Sequence, residues 1–198
     1  SRIREFVEKP KLADAPSRLV NAGAYLLEPQ AVDRIPEGRK VIIEREVFPA
    51  LASEGKLFGY VHSGTWFDIG NISDFRNANF ALLEKKTVDK IEASIARSAE
   101  LTNPVLIGEH ATVEESARLG PKTIIGRRAR IHTKANVAET IVFDDTEIGS
   151  DSSIRGAVIG NNVTVGKRVV IERGSVIAGH VNIHDNVRLT RDVYIHPY

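Results

Sequence analysis

The chain has 198 residues, enough for one or two domains with cores of their own; 42% of them are hydrophobic and the formal net charge is +1. That balance gives no electrostatic reason to expect a nucleic-acid partner, and no apolar run approaches the ~20 residues that span a bilayer, so no membrane partner is expected either. With no cysteine there are no disulfides and no thiolate metal sites, and a cytoplasmic location is the default expectation.

In chain order, the alternation in Arg2 to Lys9 and the apolar run from Leu19 to Leu27 predict strands, while Glu28-Pro29 and the Pro36, Gly38 pair bracket a short helix. A second helix is expected from near Glu46 to Ser53, with Pro49 tolerated in its first turn and Gly55 as its stop. Lys56 to His62 and Thr65 to Ile69 read as another pair of strands. Ser73 is then expected to cap a helix carrying Phe75, Ala78, Leu82 and Leu83 on one face. Residues 84 to 94, with Glu84, Lys85, Lys86, Asp89, Lys90 and Glu92, form a polar link. The expected division is therefore a mixed α/β segment over 1–86, then the linker and a second architecture over 87–198.

That second architecture is written in a period of six. From Leu101 the aliphatic beat falls on Ile107, Val113, Leu119, Ile125, Ile131 and Val137, then on Ile148, Ile154, Ile159, Val165, Ile171, Ile177, Ile183, Leu189 and Ile195. Gly108, Gly120, Gly126, Gly149, Gly160 and Gly166 follow the beat, and small or β-branched residues such as Ala111, Thr123, Ala135, Ser152 and Val163 precede it by two. Hexapeptides of this kind predict a parallel β-helix, a triangular prism whose beat residues point inward and stack, with the glycine turning a corner where a side chain would crowd the backbone. Three sides make a coil, and residues 101 to 198 supply roughly five coils about 4.8 Å apart. The phase slips by one residue between Val137 and Ile148 and again between Ile154 and Ile159, each predicting a five-residue side or a small bulge. Arg127, Arg128 and Arg130 read as a solvated prism face rather than a phosphate track.

The first segment has no run of βαβ units and no glycine-rich loop opening a helix. Its polar residues sit in unusual places. Glu8 and Lys9 close a strand before Pro10, Asn21 interrupts an apolar stretch before Ala22-Gly23, and Asp68 lies between Phe67 and Ile69 beside Trp66 and Gly70. Singly each has an ordinary explanation: a solvated strand end, an asparagine serving a neighbouring loop, an aspartate capping a glycine turn. Together, Phe6-Val7-Glu8-Lys9-Pro10, Asn21-Ala22-Gly23-Ala24-Tyr25, Ile43-Glu44-Arg45-Glu46-Val47-Phe48-Pro49 and Gly64-Thr65-Trp66-Phe67-Asp68-Ile69-Gly70 resemble the second half of a sugar-1-phosphate nucleotidyltransferase. The resemblance is closest to the mannose-1-phosphate guanylyltransferase (GDP-mannose pyrophosphorylase) type, which carries a left-handed β-helix after its catalytic domain.

This resemblance implies an α/β remnant of the catalytic domain followed by an all-β left-handed parallel β-helix. It also implies the reaction: a sugar 1-phosphate attacks the α-phosphorus of a nucleoside triphosphate and pyrophosphate leaves, with GDP-mannose as the expected product. Lys9 would be the cation on the sugar phosphate and the catalytic residue; Glu8 and Asn21 would hydrogen-bond sugar hydroxyls, and Gly23 would let the sugar approach the backbone. Asp68 would be one ligand of Mg²⁺, and Trp66 would pack rather than bind. The family's glycine-rich, arginine-containing loop and its first metal-binding aspartate do not occur in this sequence, so the expectation is a C-terminal piece, inactive alone. Two other readings stand beside it. One is a hexapeptide acyltransferase using a prism histidine (His110, His132, His180, His184 or His196) as base; the other is a non-catalytic assembly or regulatory module. A prism also predicts a homo-oligomer, dimer or trimer, built through residues 101 to 198.

Overall fold

The computed structural model of the protein describes residues 1–7, 10–11, 13, 15, 17–85 and 92–197. It divides into two compact units, Ser1–Asp68 and Ile69–Tyr198.

In the first unit three short helices surround a small core: α1 (Pro29–Val32), α2 (Ile43–Glu46) and α3 (Phe48–Ser53). Both helix predictions hold in outline. Pro29 opens α1, and Pro49 sits in the first turn of α3, where its missing N–H costs no hydrogen bond. The chain leaves α3 through Gly55 at φ +70°, the left-handed conformation that glycine adopts without penalty. Val47, Phe48 and Leu51 are buried, with Phe6, Leu27, Ile35 and Leu57 packed against them. Phe48 takes the edges of two rings, Phe6 at 5.3 Å and Tyr25 at 4.9 Å between centroids. The expected strands do not form among the described residues, where pairing is limited to an isolated antiparallel bridge between Arg2 and Phe58. β-propensity is a preference for a pleated, half-buried surface, and Leu19, Val20, Leu26, Tyr60 and Val61 find no such surface: all are exposed.

The second unit is a left-handed parallel β-helix preceded by helix α4 (Ile72–Lys85). Three six-stranded parallel sheets form the faces of the prism. The first face stacks Ser94–Ile95, Thr112–Val113, Arg130–Ile131, Glu147–Ile148, Thr164–Val165 and Asn182–Ile183. The second runs from Glu100–Leu101 to Arg188–Leu189 and the third from Val105–Ile107 to Tyr194–Ile195. The prism therefore has six coils, not five, because the pairing begins at Ser94 in what read as the polar link.

The beat residues are the core. Ile131, Val137, Ile148 and Ile159 are fully buried, as are Ala111, Ala129, Ala135 and Ala157 two places ahead of the beat. Each isoleucine buried this way is worth about 1.5–3 kcal/mol relative to exposure. Where the position ahead of the beat is polar, its hydroxyl is satisfied within the stack: Thr146 donates to Gly160 O at 2.7 Å and Ser152 to Gly166 O at 2.8 Å. Both phase slips are five-residue sides, and they lie at the same corner in successive coils. Asn136 pairs with Ser153 and Ile141 with Val158, seventeen residues apart, whereas Glu100 pairs with Arg118 and Val158 with Val176, eighteen apart.

The glycine argument needs one correction. Gly149 is required for space, since a Cβ there would stand 2.4 Å from Gly166 O, but the left-handed backbone of the turn falls two residues later, at Asp151 with φ 59°. The same offset holds for Gly126 and Arg128 (φ 55°) and for Gly166 and Arg168 (φ 55°). Of the three arginines around residue 128 only Arg130 lies on a prism face; Arg127 and Arg128 sit in the turn at its corner, and the three are paired with Glu147, Asp144 and Asp145 of the next coil at 3.2, 2.9 and 2.6 Å.

Helix α4 is capped by Asn71 rather than Ser73. The Asn71 Oδ1 accepts the Asp74 N–H at 2.9 Å while its Nδ2 donates to Asp74 Oδ2 at 2.6 Å. Its buried face is Ala78, Phe80 and Leu83; Leu82, expected inside, is 53% exposed. Phe75 stacks on Phe143 of the prism with centroids 6.3 Å apart, and Glu84 reaches Lys122 at 2.8 Å.

Candidate functional site

Of the residues singled out in the sequence, Glu8 and Lys9 lie outside the described residues. Asn21, Gly23 and Trp66 come together on one turn of the first unit. Asn21 Oδ1 accepts the Gly23 N–H at 3.0 Å, closing a turn of the kind asparagine makes with its own backbone two residues on. Gly23 has φ +73°, and a Cβ there would meet nothing within 4 Å, so the glycine serves the turn's conformation and leaves the face beside it open. Trp66 Nε1 donates to Ala22 O at 3.2 Å, fastening the Thr65 to Ile69 segment to the turn; its ring stays 45% exposed.

Two further residues belong to this cluster. Asn21 Nδ2 donates to the Tyr25 hydroxyl at 2.5 Å, and that hydroxyl donates to Glu44 Oε1 at 2.9 Å. The signal for both was present, since Tyr25 closes the Asn21-Ala22-Gly23 motif and Glu44 stands in the Ile43-Glu44-Arg45-Glu46 motif. Sequence spacing alone does not reveal that α2 delivers a carboxylate to the turn. Asn21 has two donor hydrogens and two acceptor lone pairs. The turn engages one of each, which leaves the other pair for a ligand. Asp68, two residues beyond Trp66, is exposed. Among the described residues no group of three histidine, cysteine or acidic side chains could enclose a metal ion, so Asp68 offers a single carboxylate and not a cage.

On the prism, His110 and His180 occupy left-handed corner positions, φ 58° and 64°. His132 is the histidine with an orienting carboxylate: its Nδ1 lies 2.9 Å from Glu114 Oε1, and Glu114 Oε2 accepts from the Thr133 N–H and hydroxyl, both at 2.9 Å. Burial acts to raise the Glu114 carboxyl, but the bonds from Thr133 and His132 outweigh it and hold it below its ordinary value.

Residues 1–85 match the family model described as nucleotidyl transferase, and residues 101–198 match the GMPPB C-terminal domain. The two matches together carry a similarity to the nucleotidyltransferases through both parts of the chain. It is 32% identical over 188 residues to a probable mannose-1-phosphate guanylyltransferase 2 of Oryza sativa subsp. japonica, covering 93% of this chain and 50% of the relative. Identity to the mannose-1-phosphate guanylyltransferase of Mycobacterium tuberculosis is 36% over 177 residues, covering 87% of this chain and 42% of the relative. The chain thus spans about half the length of the curated relatives it matches. Among solved structures, a variant of GDP-perosamine N-acetyl transferase from Caulobacter crescentus, in complex with CoA and GDP-perosamine, superposes with a TM-score of 0.50 at 22% identity, over 53% of this chain and 51% of that one. The acetyltransferase domain of PglB from Neisseria gonorrhoeae does so with a TM-score of 0.50 at 15% identity, over 52% of each. At such identities the likeness is one of fold: the hexapeptide prism is common to these enzymes and to this chain. Among the described residues no helix is long and apolar enough to cross a membrane.

Proposed function

We propose that this polypeptide is the sugar-phosphate side of an enzyme that makes a nucleotide-sugar, GDP-mannose, and pyrophosphate from a sugar 1-phosphate and a nucleoside triphosphate. The observation that carries the reading is the order of the two family matches along one chain, nucleotidyl transferase then GMPPB C-terminal domain, with guanylyltransferase relatives aligned across both. The Asn21–Gly23 turn supports it locally, because it is closed by its own hydrogen bonds, open on one side and able to donate and accept.

In the reaction an oxygen of the sugar phosphate forms a bond to the α-phosphorus, the α–β phosphoanhydride bond breaks, and its electrons leave with pyrophosphate. Such chemistry asks for positioning and neutralised charge rather than a protein nucleophile. Lys9 holds the sugar phosphate as a point charge, Glu8 and Asn21 bind hydroxyls, and Gly23 admits the ring close to the backbone. Tyr25 and Glu44 fix the Asn21 amide in place, and Trp66 holds the turn against the segment that bears Asp68. A lone exposed carboxylate suits Mg²⁺, which is bound by one or two carboxylates plus substrate phosphates and, when present, offsets phosphate charge. The glycine-rich nucleotide loop is not in this sequence, so the chain alone is inactive. It works in the cytoplasm as a homo-oligomer assembled through the prism.

The test is kinetic, in a protein that includes the nucleotide half. Lys9→Ala is expected to raise KM for the sugar phosphate about tenfold to a hundredfold, from the loss of a charge-assisted hydrogen bond worth about 1.5–3 kcal/mol. Asp68→Asn instead shifts the Mg²⁺ dependence. Unchanged kinetics in both variants would refute the assignment. The hydrogen-bonded His132–Glu114 pair is the one observation favouring a hexapeptide acyltransferase. Saturable coenzyme A binding that is lost in His132→Ala would support that second reading, and absence of binding would dismiss it.

A further inference from the structure

Helix α4 lies against a prism corner where positive charge collects. Glu139, the left-handed residue of the first five-residue side, accepts hydrogen bonds on the same oxygen, Oε1, from Arg155 Nη2 at 2.8 Å, Arg155 Nε at 3.1 Å and Arg173 Nη2 at 2.8 Å. Gly156 makes room for this arrangement, since a Cβ there would stand 2.6 Å from Arg173 Cγ. Lys122, the corner residue of the coil before, pairs with Glu84 of α4. The helix itself supplies Arg76, which lies over the Phe80 ring at 5.8 Å from its centroid and whose Nε is buried with no hydrogen-bond partner. Burial pulls the Arg76 guanidinium below its ordinary value; Glu139 opposes this and Arg173 adds to it. Four cations (Arg76, Lys122, Arg155 and Arg173) thus share two carboxylates (Glu84 and Glu139), an excess of two positive charges. The arginine rows elsewhere on the prism differ: Arg127, Arg128, Arg130 and Arg188 each face a carboxylate of their own.

We propose that this corner is a binding site for a dianionic phosphoryl group, taken from inorganic phosphate or from a small phosphate monoester, with Arg76, Arg155 and Arg173 as donors. A dianion cancels the excess of two and gives the buried Arg76 Nε the acceptor it lacks. Planar guanidinium forks match phosphate oxygens in pairs, and Glu139 already holds two of the three forks in convergence. The site is built from residues of the prism unit alone, none of which is assigned to sugar-phosphate binding, and it holds or fails independently of the proposed reaction.

The experiment is calorimetric titration of the full chain carrying Lys9→Ala, which removes the proposed sugar-phosphate cation, at constant ionic strength set with chloride. Inorganic phosphate and glycerol phosphate are the two probes. One saturable site is expected, weakened about tenfold or more by Arg76→Gln and by Arg173→Gln, and strengthened by Glu139→Gln, which removes the competing carboxylate. Tighter binding of the monoester identifies a metabolite site, and tighter binding of inorganic phosphate identifies a free-ion site. Arg173 is half-exposed, so Arg173→Gln keeps the test open even if Arg76→Gln perturbs the packing of α4. No saturation by either probe up to about 10 mM, or equal affinity in all variants, overturns the proposal.

Discussion

Gly149→Ala tests the reasoning about the prism directly. The added methyl would meet Gly166 O at 2.4 Å, Gly166 C at 2.5 Å and Val165 O at 2.8 Å, all backbone atoms of the next coil that cannot swing aside. Relief requires the two coils to part locally, and the hydrogen bond from Gly149 N to Val165 O, 2.8 Å long, is the one in the path. Overpacking of about 1–3 kcal/mol plus about 1 kcal/mol for the weakened bond gives a destabilisation of about 2–4 kcal/mol. The contrast is Gly70→Ala, where the same methyl meets nothing within 4 Å and φ is not left-handed; a change near zero is expected there. Urea denaturation followed by far-UV circular dichroism reads both, with equal slopes required for the comparison. A Gly149→Ala chain within about 0.5 kcal/mol of the parent would refute the claim that space, not backbone conformation, dictates the glycine at position 149.

Three other expectations follow from particular residues. Supplied with any nucleoside triphosphate and mannose or glucose 1-phosphate, the chain alone should release no pyrophosphate in a coupled assay, and measurable turnover would contradict the assignment of nucleotide binding to residues outside it. Hydrogen bonds from Arg34 and then Lys56 hold the Glu54 carboxyl at about 2, below its ordinary value of about 4.5. Because the folded form is the more acidic, this contribution is present above the ordinary value and is lost as pH falls from about 4.5 towards 2; Glu54→Gln should flatten that part of a melting-temperature profile, and an identical profile would count against it. Sedimentation of the full chain at micromolar concentration should show a dimer or trimer, and a monodisperse monomer would rule out assembly through the prism.

The prism was legible because each hexapeptide commits one residue to the interior, so Ile125, Ile131 and Val137 announce the stack without any help from loops. What periodicity hides is which residue turns the corner. The left-handed positions hold Lys122, Arg128, Glu139, Asp145 and His110, with no common chemistry, since the demand there falls on the backbone. The cap of α4 was misplaced for a related reason: Asn71 and Ser73 are both good caps by type, and only the reciprocal bonds to Asp74 decide between them. In the first unit, strand-like runs such as Leu19 to Leu27 carry propensity without partners, and pairing is decided by what lies alongside. The turn around Asn21 was legible as a motif. Its support by Glu44 from another element was not, because a contact nineteen positions away leaves no periodic trace.

The strand pairing has a consequence for how such columns change length. Every partner on a face lies seventeen or eighteen residues along the chain, and none of these pairings reaches further. A deletion of residues 147–163 would therefore remove a single rung and set Arg130 beside Thr164, which already occupies the same face, with Ile131 again meeting an aliphatic neighbour in Val165. A cut of one hexapeptide side, six residues, would instead bring one face against another, whereas a single residue is absorbed as a five-residue side. Shortening or lengthening of this structure is quantised by the rung, and natural variation in its height should come in those units.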